Sequence, residues 1–164
     1  MYARILVPID GSPTAEAGLD EAIRLALRLG ATLVLLHVVN ERPLMLETAA
    51  AASFDEIRQQ MLADGDRLLG SAARRALVAG VSSESAIKES TAGRVSDVIV
   101  REVARRGCDL VVIGTHGRRG VSRMILGSDA ELVVRESSVP VLMVRDSVAR
   151  RAHEAPVVEA AGTH

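Results

Sequence analysis

Asp109-Leu110-Val111-Val112-Ile113-Gly114-Thr115-His116-Gly117-Arg118-Arg119-Gly120 is the run that sets the architecture of this chain. Its first five residues are the most strand-like pentapeptide in the sequence, and they pass directly into glycines at 114, 117 and 120. A short aliphatic run without polar alternation is the pattern of a strand covered on both faces, as in a parallel sheet. Further on, Gly127-Ser128 opens a short helical segment over 128–136, with Val133 and Val134 expected to face inward. Val139-Pro140-Val141-Leu142-Met143-Val144 then reads as a last strand.

Towards the N-terminus the same alternation recurs. Residues 94–106 carry Val95, Val98, Ile99, Val103 and Ala104 at helical spacing, and Gly107 ends them. Ser83 to Glu89 alternates weakly and predicts a third strand. Before it, Ser53 and Glu56 have capping-box spacing. Phe54, Ile57, Met61, Leu68, Ala72 and Ala76 follow on one helical face as far as Gly80, with Gly65 as a weak point in the middle. Residues 40–52, with Pro43 and an Ala-rich stretch, read as a loop or an early helix start, and a loop is the expectation. Ala31 to Val39 predicts the second strand. Ser12 and Pro13 suit an N-cap and first helical position. Ala15, Leu19, Ala22, Ile23, Ala26 and Leu27 mark the buried face of the helix that Gly30 stops. Ile5, Leu6, Val7 and Ile9, interrupted by Pro8, form the opening strand. Strands alternating with helices imply right-handed crossovers and a parallel α/β sheet with helices on both faces.

The chain has 164 residues, enough for one domain over 1–145 and a polar tail over 146–164 that is expected to be disordered. Tyr2 and Phe54 are its only aromatics, so the core must be aliphatic and bases cannot be bound by aromatic stacking. Twenty Lys and Arg against 21 Asp and Glu give a net charge of −1, without the basic excess a nucleic-acid binder uses. The single Cys108 excludes an intrachain disulfide. No secretory signal is visible and no apolar run approaches the ~20 residues of a membrane span, so a cytoplasmic location is expected. His37, His116, His153 and His164 have no metal-ligand spacing, and no metal site is expected from the side chains alone.

Glycines allow backbone N–H groups to crowd an anion, and a helix start adds unpaired N–H groups with partial positive charge. The stretch from Gly114 to Ser128 therefore has the parts of a phosphate site, beyond the carboxyl end of a strand, where ligands of open α/β sheets sit. It is neither a P-loop, since no Gly-Lys occurs in the chain, nor a dinucleotide fingerprint, whose glycines are spaced two and three and follow the first strand.

The spacing Gly114, Gly117, Gly127, Ser128, with two and then nine intervening residues, resembles the nucleotide-binding branch of the universal stress protein family. Ile5-Leu6-Val7-Pro8-Ile9-Asp10-Gly11-Ser12, Leu35-Leu36-His37-Val38 and Val139-Pro140-Val141 are similar to that family's first, second and last strands. The resemblance implies a single five-stranded parallel sheet in the order 3-2-1-4-5, Rossmann-like, and an ATP site, with AMP or ADP as the alternative occupants. Pro8 would line the adenine side. Asp10 would accept from a ribose hydroxyl or stand near Mg²⁺ held by phosphates and water, although a solvent-facing turn Asp is the plain alternative. Val38 would offer backbone hydrogen bonds to adenine, while its periodicity alone suits core. Gly114, Thr115, His116, Gly117, Arg118, Arg119 and Gly120 would wrap ribose and phosphates. Gly127, Ser128, Asp129 and Ala130 would meet the phosphates, with the Asp129 carboxylate expected to point to solvent. Ser128 with Glu131 also has capping-box spacing, and Arg118, Arg119 and Arg123 also suit a solvated surface.

The family resemblance further implies a homodimer through Val139 to Val144 and a stress-response regulatory role without a catalytic residue. The alternative is a slow ATPase, or an enzyme phosphorylating its own Ser122 or Ser128. Adenylating relatives of the fold carry a Ser-Gly-Gly-x-Asp-Ser turn where this chain has Pro8-Ile9-Asp10-Gly11-Ser12-Pro13, and no flavin contacts are evident.

Overall fold

A computed structural model describes residues 1–40, 51–91, 93–115 and 127–145. Five strands, β1 (Arg4–Pro8), β2 (Thr32–Asn40), β3 (Ser83–Ser90), β4 (Leu110–Gly114) and β5 (Val141–Val144), form one sheet. Its order is β3-β2-β1-β4-β5, and every recorded pairing is parallel. Among the described residues, four helices, α1 (Pro13–Leu29), α2 (Ala51–Val78), α3 (Val95–Arg105) and α4 (Ser128–Glu136), connect them. The expected fold and strand order are therefore found.

The pleat sorts the side chains. Ile5, Val7, Leu33, Leu35 and Val112 meet Leu19, Ala22 and Ala26 of α1 and Leu69, Ala72 and Ala76 of α2. Leu6, Val34, Leu36, Val111 and Ile113 meet Ile99 and Val103 of α3 and Ala130 and Val133 of α4. Each fully buried Leu, Ile or Val is worth about 1.5–3 kcal/mol. Small alanines on α1 and α2 let helix backbones approach a sheet that has no aromatic filler.

Helix ends follow local chemistry. Ser12 Oγ accepts from Ala15 N–H at 3.2 Å and Pro13 starts α1, while Gly30 closes it at φ +68°. Four expectations need correction. Ser53 does not cap α2, because the helix already runs from Ala51: two alanines, the best helix formers, carry it past the serine. Leu27 and Ile57 are exposed, and Val134 is 45% exposed while Val133 is fully buried. Adjacent helical residues lie ~100° apart, so Val133 and Val134 cannot share a narrow stripe. Within 40–52, residues 51 and 52 are helical; 41–50 and 146–164 lie outside the described residues. No described helix is long and apolar enough to cross a membrane.

The amino end of the sheet is joined by charge. Asp109 accepts from the Ala3 and Arg4 amides at 2.7 and 3.0 Å, which ties β4 to β1. Arg4 forks onto Glu84 at 3.1 and 3.0 Å. Glu102 of α3, buried, accepts from Arg105 Nε at 2.8 Å and Arg106 Nε at 2.9 Å. Burial alone would raise the Glu102 carboxyl, but the Arg105 and Arg106 hydrogen bonds and the Lys88 charge outweigh it and hold it below the ordinary value.

A carboxyl lowered in the folded state stabilises above its unfolded value and loses that contribution as pH falls through the folded one. Glu102→Gln is therefore expected to lower stability by about 1–2 kcal/mol near neutral pH, modest because Arg105 is solvent-exposed. The difference from wild type should shrink as urea unfolding is repeated below about pH 4. A penalty independent of pH would show that shape, not charge, matters at this position.

Candidate functional site

The candidate site lies at the carboxyl end of the sheet, where the connections from β1 and β4 leave for opposite faces. Parallel ladders alternate sides: Asp109 N–H donates to Arg4 O at 3.0 Å, and Ile9 N–H donates to Leu36 O at 2.8 Å. Even residues of β1 thus face β4 and odd residues face β2. Pro8 falls on the β4 side and has no N–H, so it cannot extend that ladder. Pairing with β4 is recorded only at Ile5↔Leu110 and Leu6↔Val111, although β4 continues to Gly114. The ladder therefore stops at the proline, and the switch point beyond it is where the ligand crevice of an open α/β sheet is expected.

Beyond it the chain turns sharply. Gly11 takes φ +77°, and Asp10 Oδ1 accepts from Ser12 N–H at 2.9 Å. Asp10 is thus half-buried in a defined turn and oriented at the start of α1. Opposite, a Cβ on Gly114 would lie 2.6 Å from Thr14 C and 2.7 Å from Thr14 O. The first turn of α1 is packed directly on the end of β4. Gly114 is demanded by this helix–strand approach, a reason additional to any crowding of an anion.

Thr115 is buried, donates its N–H to Val144 O at 2.9 Å and accepts from Gly127 N–H at 2.9 Å. The residues flanking 116–126 are thereby brought together, and the start of α4 is fixed beside β4 and β5. His116, Gly117, Arg118, Arg119 and Gly120 lie outside the described residues.

Gly127, in extended conformation, is the N-cap of α4 and supplies no side-chain cap bond. Ser128 is already the first helical residue, so the Ser128–Glu131 spacing does not act as a capping box. The first amides of α4, those of Ser128, Asp129 and Ala130, accordingly receive no side-chain cap from Gly127, where the helix dipole is most positive. Asp129 does not point simply to solvent: its Oδ1 accepts from Ser96 N–H at 3.3 Å. The carboxylate is used at the N-terminus of α3, where negative charge is favourable. A cleft of about 460 Å³ opens between these two helix starts, with Asn40, Arg94, Val95, Ser128, Asp129 and Leu132 among its walls.

Val38 is half-buried near the end of β2, past the last β1–β2 pair Pro8↔Leu36, with its side chain against the α3 and α4 core. Its neighbour His37 was not expected to matter. His37 is buried, and its Nδ1 lies 2.6 Å from Ile9 O. The available signal was a polar residue inside the aliphatic run 33–39. Among the described residues, no group of three or more His, Cys, Asp or Glu could hold a metal.

The model of the universal stress protein family matches residues 1–145. The universal stress protein YxiE of Bacillus subtilis is 32% identical over 151 residues, spanning 88% of this chain and all of that protein. The solved structure of the hypothetical protein MJ0577 superposes with a TM-score of 0.79 at 26% identity, covering 88% of this chain and 96% of the other. A universal stress protein solved in complex with cAMP superposes with a TM-score of 0.65 at 25% identity, covering 87% and 97%.

Gly114→Ala is expected to cost about 1–3 kcal/mol in urea unfolding, because the methyl meets backbone and not a yielding side chain. Gly70→Ala, in α2 with open space around it, should instead stabilise by up to ~1 kcal/mol. Equal effects at the two positions would contradict the close packing of Thr14 on Gly114.

Proposed function

The chain belongs to the universal stress protein family, and we propose that it is an adenine-nucleotide-binding regulatory module that takes ATP with Mg²⁺ in the crevice at the carboxyl end of its sheet. The observation that carries this reading is the uncapped start of α4 at that crevice. Among the described residues, the three amides there have neither a helical acceptor nor a side-chain cap, and an anionic group is their natural complement. The residues fit such a guest. Pro8 and Val38 border the base, Asp10 stands near the ribose or a hydrated Mg²⁺, and Gly114, Thr115, Gly127, Ser128, Asp129 and Ala130 bound the phosphates. The glycines and arginines of 116–120 belong to the same motif. Bound Mg²⁺ would offset phosphate charge. The cAMP complex of a relative supports an adenine nucleotide as the guest.

A binding role is favoured over catalysis. Efficient phosphoryl transfer requires a positioned base or water-orienting group beside the phosphates. Of the described residues there, Asp10 is oriented by the Ser12 amide and Asp129 by the Ser96 amide. A regulatory readout would pass through a second copy joined at β5, whose Leu142 and Met143 are exposed on the sheet edge.

Gly127→Asp tests the site directly. Gly127 has φ −60° and ψ 138°, which aspartate adopts readily, and the new carboxylate would cap α4 itself. The variant should melt at the same or a higher temperature than wild type. It should retain no nucleotide in the heat-denatured supernatant, whereas the wild-type supernatant contains ATP, ADP or AMP. Labelled ATP should turn over far more slowly than about 1 per second. Retention of nucleotide by the aspartate variant would remove α4 from the site.

A further inference from the structure

His37 and Gly65 are two local exceptions, a buried polar residue in an aliphatic strand and a glycine inside a helix, and they touch. A Cβ on Gly65 would lie 2.5 Å from His37 Cδ2 and 3.2 Å from Nε2, so the imidazole lies against the bare backbone of α2. That placement aims Nδ1 at Ile9 O, 2.6 Å away. A carbonyl can only accept, so Nδ1 carries the proton and donates.

The ladder phase gives this bond its consequence. Thr32 N–H donates to Ala3 O at 2.9 Å and Ile9 N–H to Leu36 O at 2.8 Å, so even residues of β2 face β1. Leu33 N–H donates to Ser82 O at 2.9 Å, so odd residues face β3. The next rung in sequence would run from Val38 N–H to Ile9 O. That rung is absent among the described residues, and the acceptor it would use is held by His37. β2 meanwhile continues to Asn40, paired with β3 only. The Val38 N–H and C=O are therefore left on the β1 side, at the rim of the crevice.

We propose that His37 is a positioning residue for base recognition: by occupying the Ile9 carbonyl it keeps the Val38 N–H from closing the β1–β2 ladder and presents it, with the Val38 carbonyl, to the Watson–Crick edge of adenine. This rests on the nucleotide reading above for the identity of the guest, and on geometry alone for the state of the ladder. Adenine offers an acceptor at N1 beside a donor at N6, matching an N–H beside a C=O. Hypoxanthine and guanine carry N–H at N1 and an oxygen at C6, so each would set donor against donor.

The test uses full-length wild type, His37→Leu, His37→Asn and Gly65→Ala. Leucine removes the donor, asparagine keeps an N–H near the position of Nδ1, and alanine at 65 displaces the ring without altering it. In nucleotide-free protein, the Val38 amide should exchange hydrogen at least about tenfold faster in wild type and His37→Asn than in His37→Leu and Gly65→Ala, where the rung can form. Wild type should bind ATP more tightly than ITP, and His37→Leu should lose about tenfold in ATP affinity and most of that preference. Competition by inorganic triphosphate should not change. A wild-type Val38 amide as protected as that of Val34, within the paired ladder, would overturn the proposal, even if no variant folds. So would base preference that survives His37→Leu. Fast Val38 exchange in a wild type that binds no nucleotide would confirm the open ladder while refuting the adenine role and the nucleotide reading together.

Discussion

Just past the carboxyl end of β1 the chain parts from both of that strand's neighbours, and the proposed site depends on that release. A buried backbone group must find a partner, so a central strand normally ends where its neighbours end. Here Pro8 has no N–H to give β4, and the Ile9 carbonyl is taken by the His37 imidazole instead of by the β2 backbone. The sheet therefore parts at its switch point while the Ile9 carbonyl keeps a partner. A crevice made by withholding two ladder bonds does not require a cavity among large side chains, which suits a chain with only two aromatic residues.

Around this opening the structure arranges charge with the same economy of means. α3 is capped at its own start by Asp97, whose Oδ2 accepts from Arg94 N–H at 3.0 Å, and it also receives Asp129 from α4. α4 begins on a glycine, which supplies no side-chain cap. Of two helix N-termini facing one cleft, one receives carboxylates and, among the described residues, the other does not. Asp129, which would repel an anion if turned inward, is held aside by the helix it caps. The close approach of Thr14 to Gly114 and the two Thr115 backbone bonds fix the distance between β1, β4 and the start of α4.

Much of this was legible from residue order. Aliphatic runs at 5–9, 31–39 and 109–113, with helical spacing between them, were sufficient for a parallel α/β sheet and most helix limits, because two-sided burial leaves a strong pattern; the strand order came from the family resemblance. Gly114 was singled out for an anion site, whereas the contact that demands a glycine there, with Thr14, joins residues far apart in sequence. Ser53 misled because capping propensity is weaker than the drive of Ala51 and Ala52 to continue a helix. Ser128 misled similarly: the glycine before it became the cap. His37 and Gly65 carried local signals as departures from pattern, but their meaning came only from meeting each other and Ile9. A pairing 28 residues apart from strand end to side chain cannot be read from periodicity.

The recognition groups proposed for this site are chiefly backbone amides and not charged side chains, and amide resonances report on them individually. A ¹H–¹⁵N titration of the intact chain with AMP is the most direct measurement. The largest shifts should fall together on Val38 and on Ser128, Asp129 and Ala130, from the two sides of the crevice. Shifts absent from both groups, or confined to the exposed faces of α1 and α2, would contradict that mode of recognition.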